Sequence, residues 1–392
     1  MSPDYPGLGR RAFLGAMVGA AGSFAPESAR AAAAAAVGTI ITGSGELTVA
    51  TVGSGFVGDS LKKGALLAIE RLNAEGGLLG HKLRLHSEVA AFSGSGTRPA
   101  AIAAANNVTS QPNLIGVIGH ATVADALPAA ITYLSYGVPF FAPTISATGL
   151  TLHGLPNLYA TQPDNTDISV QTARIAFDIG LRRCVILRDR GGEGLEVSLA
   201  YRDEAAVLGI TIVDERSLPA GSSPRDYMAG LQGPRFDHVL IVGPLSTQVA
   251  LVRATADAGL NVTCVLPTIN NADFVRQQLG TIKGRVLMPV LRDPSAPTPV
   301  QAEWEKAYTA RFGEHPFDLA IQGTDAVGVL AEGLKRVGSI DLRELGRVLH
   351  TEFAYNGIAG RVSFRNNGRI YTRLLGFASI RPNEVAYYVP GA

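Results

Sequence analysis

From Glu46 onward, short continuous apolar runs alternate with longer stretches in which apolar residues recur at helical spacing. Strands buried on both faces and separated by amphipathic helices read this way. Residues 64–85, GALLAIERLNAEGGLLGHKLRL, show the unit whole. Leu61, Ala65, Ile69 and Leu72 share one helical face, Gly76 and Gly77 supply a left-handed stop, and HKLRLH alternates like a half-buried strand. A first round runs through strands LTVATV, KLRLHSEV, LIGVIG and VPFFAP, with helices predicted over 61–75, 99–110 and 123–136, and hands over at LYATQPDNTD. A second begins with a helix over 168–179 and continues through CVILRD, ITIVDE, HVLIVG, TCVLP and GRVLMPV. After the Pro-rich joint RDPSAPTPV come helices over 301–311 and 319–337, then a tail that reads as a hairpin turning at Asn367-Gly368 and a final strand.

The predicted class is α/β, with two doubly wound parallel-sheet lobes. Late helices followed by strands suit a chain that crosses back to the first lobe and then returns to the second. Several crossovers of this kind make a hinge. The expected division is residues 46–161 plus 293–356 for the N-terminal lobe and 162–292 plus 357–392 for the C-terminal lobe, after a signal and cleavage region at 1–37.

Length and composition agree with two cores, at 392 residues and 46% hydrophobic. A net charge of +1 without blocks of like charge gives no reason to expect nucleic acid or an acidic membrane as partner. The start of the chain carries Arg10 and Arg11, then Phe13 and Leu14, then a weakly apolar Gly/Ala run, which reads as a twin-arginine export signal. Cleavage is expected between Ala32 and Gly38, with no lipoprotein cysteine after the apolar run. No later stretch reaches the roughly 18–20 apolar residues of a membrane span, so a periplasmic product without direct membrane insertion is expected. Cys184 and Cys264 fall in the first and fourth strands of the second round. In a sheet of order 2-1-3-4-5 another strand separates them, beyond the about 7 Å that a disulfide tolerates.

RLNAEGGLLGHKLRL also resembles the INAAGGINGRKIEL type of signature near the N-terminus of periplasmic binding proteins of the leucine/isoleucine/valine class. The resemblance continues in order through GPRFDHVLIVGPLSTQVALVRATADAGL, through AEWEKAYTARFGEHPFDLAIQGTDAVGVLAEGLKRVGS, and through NGIAGRVSFRNNG. It implies a type I periplasmic binding protein, the exported substrate-binding component of an ABC transporter. Its partners would be a small-molecule ligand and an inner-membrane ABC permease. No enzyme activity, cofactor or metal is implied.

Open α/β sheets bind ligands outside the carboxyl ends of their strands. That rule selects Ser54, Gly55 and Phe56 after the first strand, Ala121, Thr122 and Val123 after the third, and Thr144, Ser146 and Thr148 after the fourth. In resembling proteins the third loop gives hydroxyl and amide donors to the ligand carboxylate and the fourth gives a carbonyl and a hydroxyl, which map to residues 121–123 and to Thr144 and Ser146. Hydroxyls in these places also serve as caps of the next helix. Second-lobe candidates are Arg190, Ser246, Thr268 and Asn270 with its neighbour Asn271. Arg190 has the alternative of lying in solvent or pairing with Asp189 or Glu193.

Departures from the family pattern bear on the ligand. Val123, with Thr122 beside it, stands where amino-acid binders carry a serine. Pro267 and Thr268 stand where those proteins place an acid for the ligand ammonium, and that loop has no carboxylate until Asp273. The loop after the first strand is also short. A buried ammonium without an anionic partner costs several kcal/mol, so the expected ligand is not a simple α-amino acid.

Two other readings stay open. Residues 53–58, GSGFVG, follow a strand and open a helix, the context of a dinucleotide loop. A twin-arginine-exported NAD(P)-dependent oxidoreductase would use it, although Glu88 lies about 30 residues on where about 20 is expected. Its plainer role is a tight β-to-α turn. A periplasmic sensory binding module would share every feature of a transport component. No G-x-S-x-G, H-E-x-x-H or C-x-x-C occurs. His120, expected at a loop tip, has no neighbours at metal-ligand spacing.

Overall fold

The computed structural model describes residues 45–90, 97–219, 221–231, 235–281, 283–351 and 353–388. The twin-arginine stretch and its cleavage region lie outside the described residues. The first round forms a parallel sheet of β1 (Leu47–Val52), β2 (Leu83–Glu88), β3 (Leu114–Gly119), β4 (Phe140–Phe141) and β5 (Leu158–Tyr159), in the order β2-β1-β3-β4-β5. Helices α1 (Gly55–Ala74), α2 (Thr97–Thr109) and α3 (Val123–Ser135) connect its strands.

After α4 (Asn165–Asp178), the second round builds β6 (Arg183–Asp189), β7 (Thr211–Leu218), β8 (His238–Val242), β9 (Thr263–Val265) and β10 (Arg285–Val290). These strands are joined by α5 (Gly192–Leu208), α6 (Pro224–Met228), α7 (Leu245–Asp257) and α8 (Ala272–Leu279). The chain then runs through α9 (Pro299–Phe312), α10 (Asp318–Val337), α11 (Leu342–Leu349), the small pair β11 (Tyr355–Gly357) and β12 (Gly360–Val362), and finally β13 (Gly376–Arg381) and β14 (Glu384–Tyr388).

The expected order 2-1-3-4-5 holds in both sheets, and the second is extended past β10 by antiparallel β13 and β14. The hairpin expected at Asn367-Gly368 shrinks to one antiparallel bridge between Phe364 and Ile370. Gly368, at φ 78°, presses on the backbone of Leu158, where an added Cβ would lie 2.0 Å from the carbonyl oxygen. The returning chain also runs beside residue 160: Ala160 N–H donates to Gly368 O at 2.9 Å and Ile370 N–H to Ala160 O at 2.9 Å, while Tyr371 N–H still donates to Ser363 O across the hairpin at 2.9 Å. The full hairpin is β13–β14. Helix α11 has no counterpart in the sequence reading; Asp341 caps it, its Oδ1 accepting from the N–H of Arg343 and of Glu344, both at 3.0 Å.

The core of the first lobe is completed by late residues. Leu330, Leu334, Leu345, Phe353, Val362, Phe364 and Ile370 join Leu47, Val49 and Ile115 in one cluster, whereas Leu375, Phe377 and Ile380 belong to the second lobe. The last passage between lobes therefore follows Ile370, later than the expected boundary at 357. The ring of Phe364 accounts for the difference, packing 5.1 Å from that of Tyr159 on β5. Helix α10 docks on α1 at backbone contact, since a Cβ on Gly64 would fall 1.8 Å from the carbonyl oxygen of Ala320 and one on Gly323 2.2 Å from that of Leu61.

Cys184 and Cys264 are free and buried, with β8 between their strands. Burial pushes both thiols up, that of Cys264 to about 12. None of the described helices is long and apolar enough to cross a membrane.

Candidate ligand-binding site

A cavity of about 660 Å³ opens between the carboxyl ends of the two sheets. The first lobe supplies Phe56 and Val57 after β1, Ala121 after β3, and Thr144, Ser146 and Ala147 after β4. The second supplies Asp189, Gly191, Gly192 and Glu193 after β6, residues 242–245 after β8, and Pro267, Thr268, Ile269, Asn270 and Asn271 after β9. Further lining comes from Gln162 and Asn165 at the first crossing, Leu291 at the second, and Phe317, Asp318 and Gln322 at the start of α10.

Seven of the residues selected from sequence thus meet at the cavity: Phe56, Ala121, Thr144, Ser146, Thr268, Asn270 and Asn271. The others lie outside the lining. Ser54 is the N-cap residue of α1, and Gly55 begins that helix. Thr122 is engaged with Asp125, accepting from its N–H at 3.3 Å and donating to its carboxylate at 2.7 Å. Val123 packs against the core behind β3. Thr148 is taken by Glu196, which accepts from its backbone N–H at 3.0 Å and from its hydroxyl. Arg190 pairs with neither Asp189 nor Glu193; its Nε donates to Ser217 O at 3.3 Å. Ser246 is exposed in the first turn of α7.

His120 is not at an open loop tip. Its ring turns into the core, 1% exposed, 3.0 Å from the Tyr133 hydroxyl and edge-on to Phe140. Burial holds its imidazole down at about 4.

Several lining residues were beyond sequence reasoning because they lie at crossings, not at strand ends. Gln322 Nε2 donates to Gln162 Oε1 at 2.7 Å, and Gln162 Nε2 in turn donates to the Ser146 hydroxyl. Acids also reach the cavity from unexpected places. The loop after β9 is free of them, as expected, but Asp189 arrives from the end of β6, Glu193 from the first turn of α5 and Asp318 from α10. Asp189 Oδ1 accepts from Gly191 N–H at 2.8 Å. Asp318 is held by Arg292 Nε at 3.2 Å, and burial raises its carboxyl all the same. Glu193 is raised by burial and by the nearby Glu196 and Asp189. Among the described residues, no Lys, Arg or His lines the cavity.

The glycine loop is closed on itself: a Cβ on Gly58 would lie 2.5 Å from the carbonyl carbon of Gly53. Gly58 thus serves the tight turn into α1. The acid assigned to a dinucleotide ribose, Glu88, accepts from Asn107 Nδ2 at 3.1 Å.

The lobes touch across the cleft. Phe56 of the first lobe stacks on Phe274 of the second, centroids 5.3 Å apart, and meets Phe317 edge-on at 4.5 Å. The contact of Glu196 with Thr148 is a second bridge. Such aromatic pairs contribute roughly 0.5–1.5 kcal/mol each beyond their buried area. Phe56→Ala is therefore expected to open the unliganded protein, seen as a larger radius of gyration in small-angle scattering; an unchanged scattering curve would show that the ring cluster does not hold the lobes together.

A family model described as "Periplasmic binding protein" matches residues 36–382. The Leu/Ile/Val-binding protein BraC3 of Rhizobium johnstonii is 25% identical over 288 residues, which is 72% of this chain and 76% of that one. Among solved structures, the ABC transporter substrate-binding protein of Desulfitobacterium hafniense, in complex with Leu, has a TM-score of 0.75 at 22% identity, covering 88% of this chain and 100% of its own. The solute-binding protein of an ABC transporter from R. palustris, in complex with benzoate, has a TM-score of 0.70 at 16% identity, covering 88% and 96%. These two share the fold of this chain. The chain belongs to the periplasmic binding protein family, in the class of the leucine/isoleucine/valine-binding proteins that serve ABC transporters.

Proposed function

We propose that the protein captures a small solute in the cavity between its lobes and delivers it to an inner-membrane ABC permease, after export to the periplasm by the twin-arginine route. The observation that carries this reading is the cavity itself, lined from both lobes and from two of the crossings between them. Contacts from both lobes act together only when the cleft is closed, so a bound solute stabilises closure by its differential affinity for that state.

The ligand is not a simple α-amino acid. Thr268 occupies the loop after β9 where an acid would hold an ammonium, and the acids elsewhere are committed or poorly suited. Asp318 is paired with Arg292, Asp189 is tied to the start of α5, and burial with the neighbouring Glu196 and Asp189 raises the carboxyl of Glu193. The R. palustris protein of the same fold is in complex with benzoate, which has no ammonium.

A thermal-shift screen of the purified protein against amino acids, organic acids, amides and nicotinamide cofactors tests this. A ligand at 100 times its Kd adds about 2.7 kcal/mol. Thr144→Val and Ser146→Ala are expected to weaken binding roughly tenfold while moving the unliganded Tm little. Stabilisation by leucine would overturn the ligand class, and stabilisation by a dinucleotide would turn the reading toward the oxidoreductase. Adjacent permease and ATPase genes would support delivery, whereas an adjacent histidine kinase gene would support sensing.

A further inference from the structure

Gln248 is fully buried on α7, and its Oε1 has no hydrogen-bond partner. A buried acceptor left alone is unfavourable, so the side chain is held there for what its Nε2 does. One Nε2 proton goes to Ile241 O on β8 at 3.3 Å, and the other to Thr268 Oγ1 at 3.0 Å. The carbonyl of Ile241 can only accept, which fixes the orientation of the amide. Thr268 therefore accepts from Gln248, and its own proton, which has no protein partner among the described residues, is left to the cavity.

Asn271, next along the same wall, is arranged alike. Its Oδ1 accepts from Phe274 N–H at 2.9 Å and caps α8, so its Nδ2 protons, also without a partner among the described residues, are free to donate. Both side chains line the cavity. Thr268 and Asn271 thus turn side-chain protons toward the cavity. Those protons suit an oxygen acceptor and not an ammonium. A carboxylate fits the donors, but it enters a cavity lined by Asp189, Glu193 and Asp318 and, among the described residues, by no cationic side chain.

From this arrangement we propose that the β9–α8 loop is a subsite for the carbonyl oxygen of an uncharged carboxamide-type group, with Thr268 and Asn271 as donors and Gln248 as the positioning residue that turns the Thr268 proton inward. This deepens the solute-capture reading and rests on it.

The test uses four probes of matched size, isovaleramide, isovalerate, isoamylamine and leucine, titrated calorimetrically into the purified protein. Isovaleramide is expected to bind at least about tenfold tighter than the others. Thr268→Val should lower its affinity about tenfold, one neutral hydrogen bond left unmade. Gln248→Glu would accept the Thr268 proton and turn the oxygen lone pairs inward, so the ratio of amide to amine affinity should fall or invert. A purely structural role would not move that ratio. Gln248→Met, of similar volume, gives the same loss of preference should the buried carboxylate prevent folding. Preference for isoamylamine or leucine, or an amide affinity unchanged in both Thr268→Val and Gln248→Met, overturns the subsite while leaving solute capture standing. If none of the four binds, the subsite is overturned; capture itself falls only when a broad solute library also fails to close the cleft.

Discussion

Replacing Arg369 with methionine is expected to destabilise the protein by about 3–5 kcal/mol, the range for breaking a buried, charged hydrogen-bond group. The guanidinium is 1% exposed and touches no carboxylate; it donates to three carbonyls, those of Ile145 at 3.0 Å, Gln162 at 3.3 Å and Ala147 at 2.7 Å. Methionine fills the apolar path of the stem, leaves the carbonyls of Ile145 and Gln162 without donors and leaves that of Ala147 with only Leu150 N–H, at 3.2 Å. Two of the three belong to residues that line the cavity, Ala147 and Gln162, so solute affinity should fall as well. Urea denaturation of the variant checks the first effect, and a loss below about 1 kcal/mol would mean that other groups hold these loops.

Acidification from neutral pH should stabilise the protein through Asp325. This carboxyl is buried on α10, and its oxygens accept from Ile358 N–H at 2.7 Å and Ala359 N–H at 3.0 Å. Burial raises it from 3.8 to about 6, against the pull of those two N–H groups and of Arg373. Between those values the folded chain holds a proton that the unfolded chain has released. The stabilisation is therefore complete below about 3.8 and disappears as the pH rises through about 6. A shift of roughly two units corresponds to about 3 kcal/mol. Asp325→Asn removes this titration. Its stability measured from about pH 4 to 7 should lack the decline of the parent, whatever constant offset the lost acceptor introduces; parallel profiles would sink the assignment.

The two sheets and their strand order were legible because each strand is a short apolar run bounded by polar turns, and parallel order follows from the intervening helices. What escaped was decided by tertiary contact. Helix α11 is eight residues long with three buried leucines, Leu342, Leu345 and Leu349, too short for periodicity alone to mark. The turn at Asn367-Gly368 makes only a short hairpin, and the returning chain also pairs with residue 160. At the site, strand ends were visible from sequence, and they gave Phe56, Ala121, Thr144, Ser146, Thr268, Asn270 and Asn271. Gln162, Asp318 and Gln322 come from crossings whose spatial meeting no local pattern encodes. Thr148 looked like a ligand hydroxyl because nothing in the sequence brings Glu196, some fifty residues on, to its side.

The late completion of both cores sets an order of events during synthesis. The first sheet lies wholly within residues 47–159, yet its hydrophobic cluster waits for α10, α11 and the segment through Ile370, and the second sheet waits for β13 and β14. Gly64 and Gly323 seat α1 against a helix made more than 250 residues later. A nascent chain therefore exposes one face of the first sheet and the β10 edge of the second until almost all of it has left the ribosome. Such interleaving gives many contacts of long sequence separation and slow, concerted folding, and it leaves the unfinished chain dependent on chaperones for most of the time it takes to make.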